Sequence, residues 1–344
     1  MQLTSREIEI LTAIMEDYIA SAQPVGSRTV SKRGGLRLSP ASIRNTMSDL
    51  TDQGYLDQPH TSAGRVPTVR AFRLYLEELM SIKPQAPGVG KLIGESLRGA
   101  GLDIDDLLRQ AAKILSGVCR QVSMVIAPDQ KHVRLRRVDF ALIKPGLVMS
   151  VLILQGGMVV KRLVEDSRGL SQDELTAFGN YLNDLLRDAT LGEARSRIVR
   201  ELRQAGRELS ELCRRALLLA GSALQNADDR ELIVGGRDNI AIQPEFSGIE
   251  AMRELLTALE ERDRLLTLLD KTVEEAQHIV VRLGPEAAPD IPGDCSLVST
   301  PYGPKDHPLG VIGLIGPMRM DYAQVMPVID FTARLLSGAM AKRF

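Results

Sequence analysis

The sequence predicts an α+β protein, with a small helical unit and a two-stranded hairpin at the N-terminus, then a longer region of mixed strands and helices. Three observations predict it. Apolar residues recur at helical spacing in the segments before Gly54. Two short extended segments then flank a run of small polar residues, Pro59 to Gly64. Beyond Val133, β-branched runs broken by glycines alternate with amphipathic helical stretches, and strand signals stop and later resume.

Thr4 and Glu7 form a capping-box pattern, and Ile8, Leu11, Met15, Tyr18 and Ile19 follow at helical spacing, so a first helix runs to about Ala20. Pro24 and Gly26 break it, Ser27 caps a short second helix through about Arg33, and Gly34-Gly35 ends that. Ser39-Pro40 opens a third helix with a capping hydroxyl and a proline whose missing N–H costs nothing there, and Gly54 stops it. Ile43, Met47 and Leu50 share one face, leaving Ala41, Asn45, Ser48 and Asp52 opposite, with Ser42 and Arg44 on the flanks. Tyr55 to Gln58 and Arg65 to Thr68 read as short strands, with Pro67 fitting only an edge. A helix with Phe72, Tyr75, Leu76 and Leu79 facing inward closes the unit near Met80. Helix, helix, helix and hairpin in that order is the plan of a winged helix-turn-helix, assigned to residues 1–80.

Residues 81–91, with two prolines and two glycines, read as a linker. A helix is predicted from Leu102 to Leu115 and an antiparallel sheet from Val133 to Val164. Helices follow from Ser171 to Asn226, strands from Glu231 to Ile242, and helix again from Gly248 to Ala276. Strands return at 278–283, 296–299 and 309–315 before a last helix from about Asp321 to Met340. A sheet interrupted and resumed implies an insertion, placed at 166–246, in an α+β domain of 92–165 and 247–344.

The whole chain carries a net charge of −1, yet from Ser27 to Arg73 eight basic residues face only Asp49, Asp52 and Asp57, an excess of five. A focused positive segment suits a polyanion. On the third helix Asn45 suits bidentate pairing with adenine, Arg44 suits guanine or phosphate, and Ala41 suits a thymine methyl. Ser27, Arg28, Ser42 and Ser48 complete the helical part of a candidate DNA-binding set, and His60, Thr61, Ser62 and Arg65 supply the hairpin part. The alternatives are an ordinary solvated helix face and a hairpin with an incidental arginine. Ile198, Leu202, Leu209 and Leu212, with Ala205 and Ala216 between and after them, follow a heptad-like spacing that fits a dimer seam or a helix buried in its own domain.

Other chemistry finds no pattern. Cys119, Cys213 and Cys295 are far apart, the four histidines are scattered, and no metal site or cofactor is expected. Gly156-Gly157 and Gly235-Gly236 lack phosphate-loop spacing, and no nucleophile elbow or zinc-protease motif occurs, so an enzyme is not expected. The opening MQLTSREIEI has acids where a secretory leader has bases, and no run reaches the length of a membrane span, so a cytoplasmic protein away from membranes is expected.

The segments PVGSRTVS at Pro24, SPASIRNTMSDL at Ser39, PHTSAGRVPT at Pro59, QPEF at Gln243, DCSLVSTPYG at Asp294 and GVIGLIGPMRMDY at Gly310 closely resemble the HrcA family of bacterial heat-inducible transcription repressors. The resemblance covers essentially the whole chain. It implies a winged helix, a GAF-like domain and a dimerisation domain inserted into the latter. It also implies a homodimer on double-stranded DNA at an inverted repeat called CIRCE, upstream of chaperone operons, kept active by the GroE chaperonin and released when heat shock occupies that chaperonin. Ser42 and Met318 stand where threonine is expected, and Ala71-Phe72 where Gly-Tyr is common.

Overall fold

The structure is a computed structural model that describes residues 3–33, 38–60, 63–80, 87–99, 103–129, 131, 133–166, 169–204, 211–224, 230–275, 278–287, 291–304 and 308–341. It is a mixed α+β fold of several units.

In the N-terminal unit, α1 (Ser5–Ser21) starts from Thr4 with the expected capping box, α2 (Ser27–Ser31) follows, and α3 (Pro40–Asp52) starts where the Ser39 hydroxyl accepts the Ser42 amide. The cap of α2 is Gly26 rather than Ser27, and the helix ends two residues short of Arg33. A hairpin of β1 (Leu56–Asp57) and β2 (Val66–Pro67) pairs Leu56 with Pro67, and α4 (Val69–Leu74) continues through one wider turn to Leu79. Ile10, Leu11, Ile14, Val30, Ile43, Leu50 and Phe72 are wholly buried among these elements. Pattern spacing did not announce one further tie. Val25 and Arg65 exchange both backbone hydrogen bonds, at 2.8 and 2.9 Å, which fastens the α1–α2 turn to the hairpin. Gly64 is required there, because a Cβ would stand 2.5 Å from the Val25 carbonyl.

α5 (Pro87–Gly99) begins inside the stretch read as linker, so the non-helical connection is shorter than 81–91. The largest unit is an antiparallel sheet of β3 (Val122–Ile126), β7 (Leu232–Gly235), β8 (Val280–Leu283), β9 (Cys295–Tyr302) and β10 (Gly310–Pro317) in the order β7-β3-β10-β9-β8. α6 (Ile104–Cys119) and α12 (Tyr322–Ala341) join α5 in one apolar cluster that takes in Val125, Val298, Ile312 and Leu314. α10 (Ile249–Glu260) and α11 (Arg262–Glu275) bury the alternate residues Met124, Ile126, Leu297, Val311 and Ile315 in a second. The central strands β3, β10 and β9 are therefore sandwiched, their successive side chains pointing to opposite covered faces.

The strands β4 (Leu135–Lys144), β5 (Leu147–Leu154) and β6 (Val159–Glu165) form a separate three-stranded sheet. It is backed by α7 (Gln172–Leu185) and α9 (Glu211–Leu224), with α8 (Leu191–Gln204) packed against α9. Asn183 and Gln172 on α7 donate to the carbonyls of Val138 and Phe140 and accept the amides of Val138 and Leu142, at 2.8–3.1 Å, satisfying the outer edge of β4. Across the boundaries expected at 166 and 246, the sheet within Leu135–Glu165 packs against α7 and α9, while Leu232–Gly235 pairs with β3 in the five-stranded sheet. Apolar strand composition shows that a strand exists without showing which sheet it joins. Residues 237–242, read as strand, are a 3-10 turn.

Candidate nucleic-acid interface

α3 divides as its periodicity requires. Ile43, Thr46, Met47 and Leu50 are buried, and Ala41, Arg44, Asn45, Ser48 and Asp49 are exposed. Both ends of the helix are held by α1. At the first turn, the Arg6 guanidinium donates to the Ser42 hydroxyl and, at 3.3 Å, to the Ser42 carbonyl. Beyond the last turn, the Gln53 amide donates to Glu7 at 2.6 Å, and Thr4 donates to the same carboxylate at 2.7 Å. Those bonds, Thr4's foremost, hold the Glu7 carboxyl below its ordinary range. Arg70 donates to the Gln53 carbonyl at 2.8 Å and lies 4.4 Å over the Tyr55 ring, tying α3 to the hairpin and α4. The exposed face of α3 is thus presented on a fixed base.

The site residues expected from sequence fall into three groups. Ala41, Arg44, Asn45 and Ser48 line the outer face of α3, with Ser27 and Arg28 at the start of α2. Ser42 is half-buried and engaged with Arg6. On the hairpin, His60 is exposed, Arg65 is half-buried, and Thr61 and Ser62 lie outside the described residues. The Arg65 Nε is buried without a hydrogen-bond partner among the described residues. Sequence reasoning missed Arg6, whose position one turn into α1 gave no sign that it would meet Ser42.

The local charge count also needs correction. Arg33 pairs with Glu16 at 2.7 Å and Asp17 at 3.0 Å, acids that precede the counted segment. Arg73 pairs with Glu286, more than two hundred residues away, and Arg70 is held by Gln53 and Tyr55. Arg28, Lys32 and Arg44 remain as exposed cations with no ion pair among the described residues, so exposed positive charge stands at both ends of α2 and near the start of α3.

Of the residues set as a dimer seam, Ile198 is buried inside its own chain, on α8 beside Gly221 of α9. Leu202 is partly buried in the same cluster. Leu209 lies outside the described residues, and Leu212 is on α9. The heptad-like run therefore crosses from α8, which ends at Gln204, to α9, which starts at Glu211. Ile198 and Ala216 are buried within the chain, on α8 and α9 respectively.

Elsewhere, a cavity of about 580 Å³ lies between β8, β9 and α12, lined among others by His278, Tyr302, Asp330 and Arg334. Its polar groups are largely engaged with each other and with backbone. Tyr302 donates to the Ile126 carbonyl at 2.8 Å, Ser337 accepts the Gly303 amide, and Arg334 pairs with Asp330 at 2.9 Å. Among the described residues no group of histidine, cysteine, aspartate or glutamate is arranged to hold a metal ion, and no helix is long and apolar enough to cross a membrane.

Residues 105–326 match the family described as HrcA protein C terminal domain. The chain is 49% identical over 345 residues to a heat-inducible transcription repressor HrcA of Nitratidesulfovibrio vulgaris, covering 99% of this chain and 97% of that one. It is 39% identical to the proteins of the same name from Syntrophobacter fumaroxidans and Geobacter sulfurreducens, covering 97% of each chain. A crystal structure of a hypothetical protein at 2.2 Å shares the fold along the full length of both chains, with a TM-score of 0.72 and 24% identity. The chain belongs to the HrcA family of heat-inducible transcription repressors, a family of transcription factors and not of enzymes.

Proposed function

We propose that this chain is a cytoplasmic repressor of chaperone operons that binds a CIRCE inverted repeat in double-stranded DNA as a homodimer, is kept active by the GroE chaperonin, and is released when heat shock occupies that chaperonin. The N-terminal unit is read as a winged helix-turn-helix, the five-stranded unit as GAF-like, and the three-stranded unit as the dimerisation domain. One observation carries the DNA-binding reading. The face of α3 bearing Ala41, Arg44, Asn45 and Ser48 is exposed beside unpaired cations, on a helix anchored at both ends. A helix-turn-helix presents the first turns of its second helix to base edges in this way.

Dimerisation is supported by the outer face of the three-stranded sheet. Ala141, Met149 and Leu163 lie opposite one another across its strands, and Val151, Ile153 and Val159 extend the apolar surface. Leu163 is 63% exposed. Arg137, Asp139 and Lys161 stand on the same face, giving it the charged margin expected of a protein interface. A second copy related by a two-fold axis covers this face and pairs two recognition helices with two half-sites.

The test is a footprint on a chaperone operon promoter, with binding measured against salt. Asn45→Ala removes a bidentate adenine contact worth about 1–3 kcal/mol of discrimination, so operator binding weakens while random-DNA binding barely changes. Equal loss on both DNAs would move the reading element from α3 to the hairpin.

A further inference from the structure

The N-terminal unit meets the five-stranded unit at a joint that one half-buried arginine bridges. Arg319, in the turn after β10, grips Glu245 with both forks of its guanidinium. It also donates to the Gln243 side chain at 3.1 Å and to the Ile19 carbonyl at 3.2 Å. Arg319 and Glu245 are 14% and 19% exposed, so the pair is shielded from salt in a way that surface pairs are not.

The Ile19 carbonyl lies in the last turn of α1, where helix carbonyls have no intrahelical partner and a cation is favoured by the helix dipole. No basic residue stands in that turn of α1. Arg319 supplies both the donor and the charge from three hundred residues away. Its own anchor is firm. Glu245 sits in a 3-10 turn that starts with Pro244 and ends with the buried Phe246, Gln243 donates to the Arg120 carbonyl at 3.1 Å, and the Met318 amide donates to the Asp294 carbonyl at 2.8 Å.

Other contacts cross the joint as well, since buried side chains of both units belong to one continuous apolar cluster. Arg73 with Glu286 is a half-exposed pair, of the kind that contributes little. Val69 packs near Gly284 on the same side. Beside Arg319 lies a cavity of about 300 Å³, lined among others by Ile19, Arg120, Gln243, Met320 and Val325. Tyr18 lies close enough to feel both partners. Its hydroxyl is pushed above its ordinary value by burial first and by Glu245 next, with Arg319 opposing.

We propose that Arg319, braced by Glu245, is a positioning residue for operator recognition that clamps the end of α1 and thereby fixes the angle at which each subunit presents α3. α1 is the element that holds both ends of α3, through Arg6 and Glu7, so orientation imposed on α1 passes directly to the reading face. The separation of the two half-sites that a dimer accepts is then set at this joint. This rests on the DNA-binding reading above.

The experiment measures binding of full-length wild-type, Arg319→Gln and Arg319→Lys proteins to inverted repeats whose central spacer is lengthened or shortened by single base pairs. Each base pair turns one half-site by about 35° relative to the other. Wild-type protein should prefer one spacer by about tenfold or more, since a rigid dimer cannot follow that rotation. Arg319→Gln should reduce the preference to about threefold or less while binding random DNA as wild type does, and Arg319→Lys should fall between, because an ammonium cannot hold Glu245 bidentately. Glu245→Gln weakens the same grip and should act alike, which keeps the test sound if Arg319→Gln folds poorly. A wild-type spacer preference left intact by Arg319→Gln and Glu245→Gln, at matched dimer fraction, overturns the role of Arg319 alone. Wild-type protein with no preference for any inverted repeat overturns the DNA-binding reading and this role with it.

Discussion

The two sheets of this chain are built from similar residues and solve different problems. β10 is buried at every position, and β3 likewise, because helices cover both faces of the five-stranded sheet. β5 alternates half-buried and buried residues, because α7 and α9 cover only one face of the three-stranded sheet. Yet the uncovered face of the smaller sheet carries Met149, Val151, Ile153, Val159 and Leu163 where a solvated sheet carries polar groups. The difference teaches that the first sheet is a core complete within one chain, and that the second leaves an apolar face open, the face on which dimerisation is proposed.

Substitutions that separate folding from association test that contrast most strongly. Ile312→Ala in β10 removes a fully buried side chain from the larger sheet and should destabilise the protein by about 2–5 kcal/mol in urea unfolding. Leu163→Asp should leave the fold of the subunit intact and weaken dimerisation by about 2 kcal/mol or more, roughly thirtyfold in dissociation constant. Wild-type thermal midpoints should rise with protein concentration and those of Leu163→Asp should not. An unchanged sedimentation mass for Leu163→Asp would remove the open face as the interface.

Glycines sharpen the same contrast. In the larger sheet a Cβ on Gly310 would lie 2.2 Å from the Ile126 carbonyl and 2.7 Å from the Tyr302 hydroxyl. Gly310→Ala must push β10 away from β3, and should cost about 1–3 kcal/mol or more. Gly157, between β5 and β6, has open space around it but a φ of +81°. Gly157→Ala meets only that backbone preference, about 1–2 kcal/mol. The ranking, measured by urea unfolding of both variants, reverses if β10 tolerates displacement.

The same physical contrast explains what was legible in the sequence. The N-terminal unit was readable because its cues are local. Thr4 with Glu7, Ser39-Pro40 and Gly54 each mark a boundary within a few residues, and Ile43, Met47 and Leu50 point one way whatever surrounds them. Strand existence was readable from β-branched runs, but sheet membership was not, since the pairing of β3 with β7 joins residues more than a hundred positions apart. Leu147–Leu154 reads LVMSVLIL, as continuously apolar as Gly310–Pro317, and its one polar residue, Ser150, is buried, so nothing in the sequence marked the two strands as belonging to different environments. At the candidate site, the outward face of α3 followed from period alone. The partners that fix it, Arg6 to Ser42 and Gln53 to Glu7, depend on a helix crossing that no spacing encodes. The heptad-like run from Ile198 left a dimer seam and a buried helix both open for the same reason, because periodicity reports that a face is buried and not against what.

The smallest expected effect concerns pH, and it falls on the larger sheet because only that sheet holds a buried thiol. Cys295 opens β9 with no exposed surface, and its thiol is pushed up to about 12 from an ordinary value of 9.0, by burial first and then by Asp294 and Glu245. Cys119, at the end of α6, is also pushed up to about 12 by burial. In the unfolded chain both thiols ionise near 9.0, while in the folded chain they stay neutral. The unfolded state therefore releases protons first. Stability linked to these groups is complete below pH 9 and declines as pH rises from there toward 12. Each thiol contributes a slope that approaches about 1.4 kcal/mol per pH unit once the unfolded thiol is ionised. Tyr302 and Tyr322 are buried too, but an unfolded tyrosine ionises near 10.0, so the thiols dominate between pH 9 and 10. Cys295→Ala should lower overall stability through the lost sulfur while making the decline between pH 9 and 10 shallower by roughly half of the thiol contribution. Urea unfolding at several pH values checks this. A slope identical to wild type would mean that water reaches β9 at its Cys295 end, and that the larger sheet is less closed than its burial pattern describes.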